Sequence, residues 1–165
     1  MIINYGNSFP FVKKAKNMFF PLEYLASKKE FEDFNKNNYK KEIVDKFWLQ
    51  ATGNLERAKE LIRIYYTRVF WSNLYFSTYK EGWKTDRGMV YLIYGIPTKV
   101  LKSELYEKWF YGESYSSKYM NFTFKKNEKS ISNNDYNLIP NPKKENWLEA
   151  IDTWRNGRIF SIDLK

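Results

Sequence analysis

The chain has 165 residues, 43% of them hydrophobic and 28% charged, a formal charge of +9, and neither cysteine nor histidine. That length and balance fit one folded domain with a real core and exclude a disordered chain. The missing residue types exclude thiol nucleophiles, disulfides, zinc centres of the usual Cys/His kind, histidine acid–base catalysis and acylation on a cysteine of this segment. The longest uncharged run, Met1–Val12, falls short of the ~18 residues that a membrane-spanning helix needs. Asn4, Gly6, Asn7 and Pro10 interrupt any signal-peptide core. The positive charge favours acidic partners, but the pairs Lys13-Lys14, Lys28-Lys29, Lys40-Lys41, Lys125-Lys126 and Lys143-Lys144 are scattered. An ordinary lysine-rich surface is the simpler reading.

In chain order, residues 1–20 show no period and read as an extended arm or linker, leaving one domain over 21–165. Leu22 to Ala26 forms a helical turn. Ser27 and Glu30 have the spacing of a capping box, in which each side chain satisfies a backbone N–H of the other. The helix that follows carries Phe31 and Phe34 and ends near Asn37-Asn38. A second helix spans Tyr39 to Ala51, with Tyr39, Ile43, Phe47 and Ala51 on one stripe, Val44 and Trp48 beside it, and Glu42–Lys46 as an exposed i, i+4 pair. Gly53 stops it and Asn54 caps the next. The longest helix runs from Leu55 to about Tyr79, with Leu55, Ala58, Ile62, Tyr65 and Val69 inward. Beyond Arg68 its polar side disappears, so the end carrying Phe70, Leu74 and Phe76 is expected to be buried all round.

The most specific stretch comes next: Gly82-Trp83-Lys84-Thr85-Asp86-Arg87-Gly88, then an apolar run ending in Tyr94-Gly95-Ile96-Pro97. Thr85 suits a helix cap, Asp86 the first turn, and Gly95 with Pro97 the stop. A short buried strand over Met89–Tyr94 competes with this helix, which is preferred. Gly82, Trp83, Thr85 and Asp86 fill the pattern Gly-Trp-x-Thr-Asp. With Asn73-Leu74-Tyr75-Phe76 before it and Arg87-Gly88 and Tyr94-Gly95-x-Pro97 after it, the chain resembles the bacterial GWxTD domain family from about Pro21 to Phe160. That resemblance implies no established activity. It implies a place toward the end of longer envelope or exported proteins, so the segment reads as part of a longer exported chain in the periplasm or envelope, with a cytoplasmic protein as the alternative.

Strands are expected at residues 99–102, 106–111, 120–125 and 136–139. Met120, Phe122 and Phe124 alternate with polar residues as in a half-buried antiparallel strand. Residues 127–134 read as a polar, mobile loop. Asn141-Pro142 opens a last helix with proline at its first position. Trp147, Leu148, Ile151 and Trp154 line its inner face and Gly157 ends it, before a closing strand or continuation over Ile159, Phe160, Ile162 and Leu164. The fold class is α+β: a helical N-terminal half on a small antiparallel sheet with a C-terminal helix. The run Val90-x-Leu92-Ile93-Tyr94-Gly95-x-Pro97 and the strands after it also resemble, at the level of fold, the small lipoprotein of the outer-membrane barrel assembly machinery.

The signature admits two roles. In one, Trp83 plugs the seam between the long helix and the sheet, Asp86 and Arg87 pair with each other or with nearby backbone, and the glycines permit close approach. In the other, Trp83, Asp86 and Arg87 line a surface cleft for a ligand or peptide. The structural role is the simpler one for Gly82, Trp83, Thr85, Asp86, Arg87, Gly88, Gly95 and Pro97 together. The glycines form no phosphate loop. Asp86, Glu104, Glu107 and Glu113 are carboxylates that a glycan hydrolase would pair, but none sits in a diagnostic motif and no catalytic residue is assigned. Lys108-Trp109-Phe110-Tyr111 and Phe122-x-Phe124-Lys125-Lys126 interleave rings with cations as single-strand binders do, though alternation makes them a core face with lysines at its edge, and no RNA-binding consensus is present. The expected function is a non-catalytic protein-interaction or scaffold module that binds other envelope proteins or an envelope polymer. Neither cofactor nor metal is expected, nucleic acid is not an expected partner, and oligomeric state is open. An anionic-polymer binder and a carboxylate-dependent hydrolase are the alternatives.

Overall fold

Asn54 fixes where the central helix begins: its Oδ1 accepts from Arg57 N at 3.1 Å, and Gly53 just before it, at φ +63°, turns the preceding helix off. In this computed structural model, which describes residues 5–36, 40–113, 119–140 and 144–160, these are helices α3 (Lys41–Thr52) and α4 (Leu55–Phe76). Before them come α1 (Ala15–Phe19), a 3-10 helix at Phe20–Tyr24, and α2 (Lys28–Lys36). After them come α5 (Asp86–Tyr94), strands β1 (Lys99–Lys102), β2 (Tyr106–Tyr111), β3 (Met120–Lys126) and β4 (Tyr136–Leu138), and α6 (Lys144–Arg155). The strands form one antiparallel meander in chain order. The fold is α+β, as expected. Among the described residues no helix is long and apolar enough to cross a membrane.

The helical half is held by rings. Val44, Phe47 and Trp48 of α3 and Ala58, Leu61, Tyr65 and Val69 of α4 recur at three- and four-residue spacing and are buried. Trp48, Tyr65 and Trp154 of α6 meet at 5.3–6.3 Å between ring centres, tilted or edge to face, a geometry favoured by the ring quadrupole. The capping box forms as expected: Ser27 N donates to Glu30 Oε2 at 2.7 Å and Glu30 N to Ser27 Oγ at 3.3 Å. The exposed ion pair of α3 is Lys41–Asp45 at 2.6 Å, where Glu42–Lys46 was expected. Asn37, Asn38 and Tyr39 lie outside the described residues.

Part of the segment expected as an arm packs down: Phe19 is buried in α1 and Tyr66 Oη donates to Met18 O at 2.7 Å, while just past the arm Tyr65 Oη donates to Pro21 O at 2.6 Å. Two phenols thus satisfy carbonyls of an aperiodic segment, which is why no sequence period announces it.

Helix α4 ends at Phe76, three residues early, and its last turns are not buried all round: Leu74 and Tyr75 are 52% and 55% exposed. Phe76 packs on Tyr91 of α5 and Trp109 of β2, so the sheet and α5 cover one side and leave the other in water. The inner sheet face carries Glu107, Trp109 and Tyr111 from β2 and Phe122 and Phe124 from β3, all buried. In α6, Ala150 and Trp154 are buried while Leu148 faces water. The expected start at Asn141-Pro142 and the end at Ile162 and Leu164 lie outside the described residues.

Candidate functional site

The signature begins as a crossing of two backbones. A Cβ built on Gly82 would stand 1.8 Å from Ser72 O, and one on Gly88 would stand 1.9 Å from Gly82 O. The helical turn Gly82–Lys84 therefore sits directly on α4, and α5 starts directly on that turn. No side chain fits either contact. Thr85 closes the corner: its Oγ1 donates to Gly82 O at 2.7 Å and accepts from Gly88 N at 3.0 Å. Trp83 is 2% exposed. Its backbone N–H donates to Asn73 Oδ1 at 3.4 Å, and its ring meets Tyr24 edge-on, with Tyr24 Oη donating to Trp83 O at 3.0 Å. Its ring partner thus comes from the N-terminal segment, not from the sheet.

Asp86 and Arg87 point to different partners. Asp86 Oδ2 accepts from Leu138 N at 2.6 Å and ties the start of α5 to β4. Arg87 is 4% exposed and runs between the rings of Phe76 and Tyr136, its Cζ 5.1 and 4.3 Å from their centres. Its Nη1 donates to Glu107 Oε2 at 3.0 Å, and its Nη2 donates to the backbone and side-chain oxygens of Asn134. Trp109 Nε1 donates to the other oxygen of Glu107 at 2.6 Å. Asn134 Nδ2 in turn donates to Tyr75 O and Ser77 O. Burial pulls the Arg87 guanidinium below its usual range, and the neighbouring Glu107 carboxylate works against that. Asp86 and Arg87 do not pair with each other: Asp86 bonds backbone, the other arrangement expected, and Arg87 forms a longer-range pair. The segment expected as a mobile loop ends in this network: Asn134 holds Arg87, and buried Asp135 accepts from Asn127.

A family model of the GWxTD domain matches residues 1–156 of the chain. The chain belongs to the GWxTD domain family. In this GWxTD domain, then, the residues that give the family its name are placed at the junction of α4, α5 and the N-terminal segment. No curated protein and no solved structure matches the chain. The fold-level resemblance to the small lipoprotein of the barrel assembly machinery has no support.

Gly95 ends α5 at φ +83°, donating to Tyr91 O at 2.9 Å, and half-buried Pro97 follows. This end of the signature borders a cleft of about 330 Å³ between α4 and the link from α5 to β1. Arg63, Thr67, Arg68 and Trp71 come from α4, and Ile96 and Thr98 from the link. Arg68 Nη1 donates to Leu92 O and Ile93 O, both at 3.0 Å, and its guanidinium lies 5.1 Å from the centre of the Trp154 ring. Burial lowers its pKa to about 10.

The structure thus brings Gly82, Trp83, Thr85, Asp86, Arg87 and Gly88 together and sets Gly95 and Pro97 at the far end of α5. Of the four candidate carboxylates, Asp86 and Glu107 are engaged inside the protein. Glu104 lies exposed between β1 and β2, and Glu113 follows β2. Sequence reading missed Arg68 and Asn134 as site residues. It named Glu107 only as a possible catalyst, although its phase with Trp109 and Tyr111 already put an acid on the inner face of β2.

Proposed function

We propose that this GWxTD domain is a non-catalytic interaction or scaffold module of a bacterial envelope or exported protein, which binds other envelope proteins or an envelope polymer. The observation that carries this reading is a partly exposed aromatic face on α4, where Tyr75 is 55% exposed and Trp71 half-buried. Trp71 stacks on Tyr75 with ring centres 5.4 Å apart and planes at 10°, and Leu74 beside them is 52% exposed. Tyr and Trp rings on a rigid helix contribute large contact area at low entropic cost, as interface anchors do. The signature supports the same reading from the other side, because its charged groups bond to the protein's own groups. The envelope setting rests on the company that domains of this family keep.

A native pull-down of the full-length parent with mass spectrometry tests the proposal. The Tyr75→Ala variant is expected to melt like the parent and to lose its partner. Arg87→Lys is expected to melt lower, with its folded fraction still binding. If Asp86→Asn or Arg87→Lys melts like the parent yet loses the partner, the signature is the binding site and this reading fails.

A further inference from the structure

Arg68 carries a charge that the protein only partly answers. Among the described residues no carboxylate pairs with it; the ionisable groups around it are the phenols of Tyr111, Tyr91 and Tyr65. Its two recorded hydrogen bonds both leave from Nη1, to the last carbonyls of α5, where the helix dipole offers about half a negative charge. A guanidinium has five N–H donors in a rigid fork. Nε and Nη2 form the other edge of that fork and donate to no described protein acceptor. Gly95 lets the backbone lie directly against the group: a Cβ there would stand 2.7 Å from Nη2. Exposed Arg63 adds a second cation to the same cleft, Thr67 and Thr98 add hydroxyls, and Trp71 and Ile96 add apolar wall.

We propose that the cleft between α4 and the α5–β1 link is a binding site for the carboxylate of an apolar acid, with Arg68 as its two-pronged anchor and Arg63 as the charge at its rim. A carboxylate places two oxygens in one plane at the spacing of two guanidinium N–H groups. The aromatic and aliphatic lining suits the body of such an acid, which inorganic phosphate lacks. The carboxylate can come from a free small acid or from the C-terminus of a polypeptide. The site stands on its own geometry; it shares Trp71 with the aromatic face of α4 but does not rest on the scaffold reading.

Titration of the amide NMR spectrum of the whole chain tests this with four probes: N-acetylphenylalanine, its amide, inorganic phosphate, and an acetylated hexapeptide ending in phenylalanine with a free C-terminus. The free acid or the peptide is expected to move the Tyr91, Ile96 and Thr98 signals to saturation, with the amide at least about tenfold weaker for lack of charge-assisted bonds. Tighter binding of the peptide identifies a polypeptide C-terminus; equal or tighter binding of the small acid identifies a free metabolite. Arg68→Gln is expected to abolish the response. Because Arg68 also braces the end of α5, exposed Arg63→Glu is the second variant, expected to stay folded and to weaken the acid severalfold. Shifts that fail to saturate, equal response to acid and amide, tighter binding of phosphate, or an unchanged affinity in Arg63→Glu would each overturn the proposal.

Discussion

Arg87 and Glu107, twenty residues apart in the chain, meet at 3.0 Å with each side chain 5% exposed, while Asp86 beside Arg87 bonds elsewhere. Removing one member of such a pair strands a charge inside the protein, at a cost of about 3–5 kcal/mol. Glu107→Ala is therefore expected to lose about that much stability in urea unfolding. Arg87→Lys keeps the charge but not the fork that also reaches Asn134, so its loss is expected to be smaller, on the order of 1–3 kcal/mol. Asp86→Asn keeps an oxygen for Leu138 N–H and should lose about 1 kcal/mol. An unchanged urea midpoint in Glu107→Ala would show that the pair is dispensable.

The two glycines at the crossing make a sharper prediction. Gly82→Ala and Gly88→Ala each drive a methyl carbon within 2 Å of a backbone oxygen, and neither oxygen belongs to a side chain that can turn away. Overpacking commonly costs ~1–3 kcal/mol, and here the backbones themselves must part, so the loss should reach or exceed the upper end. Circular dichroism and thermal melting are the measurements. A variant that melts within a degree or two of the parent would mean that the crossing is looser than described.

Burial separates residues that look alike along α4. Phe76→Ala removes a ring packed on Tyr91 and Trp109 and lying under Arg87, with an expected loss of ~3–5 kcal/mol. Phe70, half-buried with its ring 4.5 Å from that of Phe11, should lose less on truncation. Leu74→Ser changes a solvent-facing position and should stay within about 0.5 kcal/mol of the parent. The reverse order of Phe76 and Leu74 in chemical unfolding would place the sheet on the other side of α4.

Glu30 links pH to stability. Hydrogen bonds from Arg155 at 2.9 Å to both of its oxygens, helped by Ser27, hold its pKa down to about 2. A depressed carboxylate pKa stabilises the fold above the unfolded value near 4.5, and that contribution disappears as pH falls toward about 2. Glu30→Gln should thus melt lower than the parent at pH 7, with the gap closing by pH 2. A gap of the same size at both pH values would mean that the charge is not the cause. Ser27→Ala, which removes the other half of the capping box, should cost about 1 kcal/mol.

Much of this fold is written locally. The capping box at Ser27, the stop at Gly53, the cap at Asn54, the start of α5 at Thr85 and the strand alternation around Phe122 all stand where the chain implies. Each depends on residues within one turn or one pleat of each other, and short-range chemistry suffices for them. What the chain did not show is which surfaces meet. A helix apolar on every side announces burial, yet whether Leu74 or Phe76 faces the sheet depends on where α5 crosses, and that crossing is set by Gly82 and Gly88 against backbone far from any side-chain pattern. Arg87 had an acid beside it in sequence and chose one from another strand, because the helix turns Asp86 toward β4 and Arg87 toward β2. Arg68 reads as one more polar residue on a helix until α5 ends against it and leaves half its fork without a partner among the described residues. Local geometry is a property of neighbouring residues and was legible in sequence; the pairing of charges depends on distances across the fold, which only tertiary structure decides.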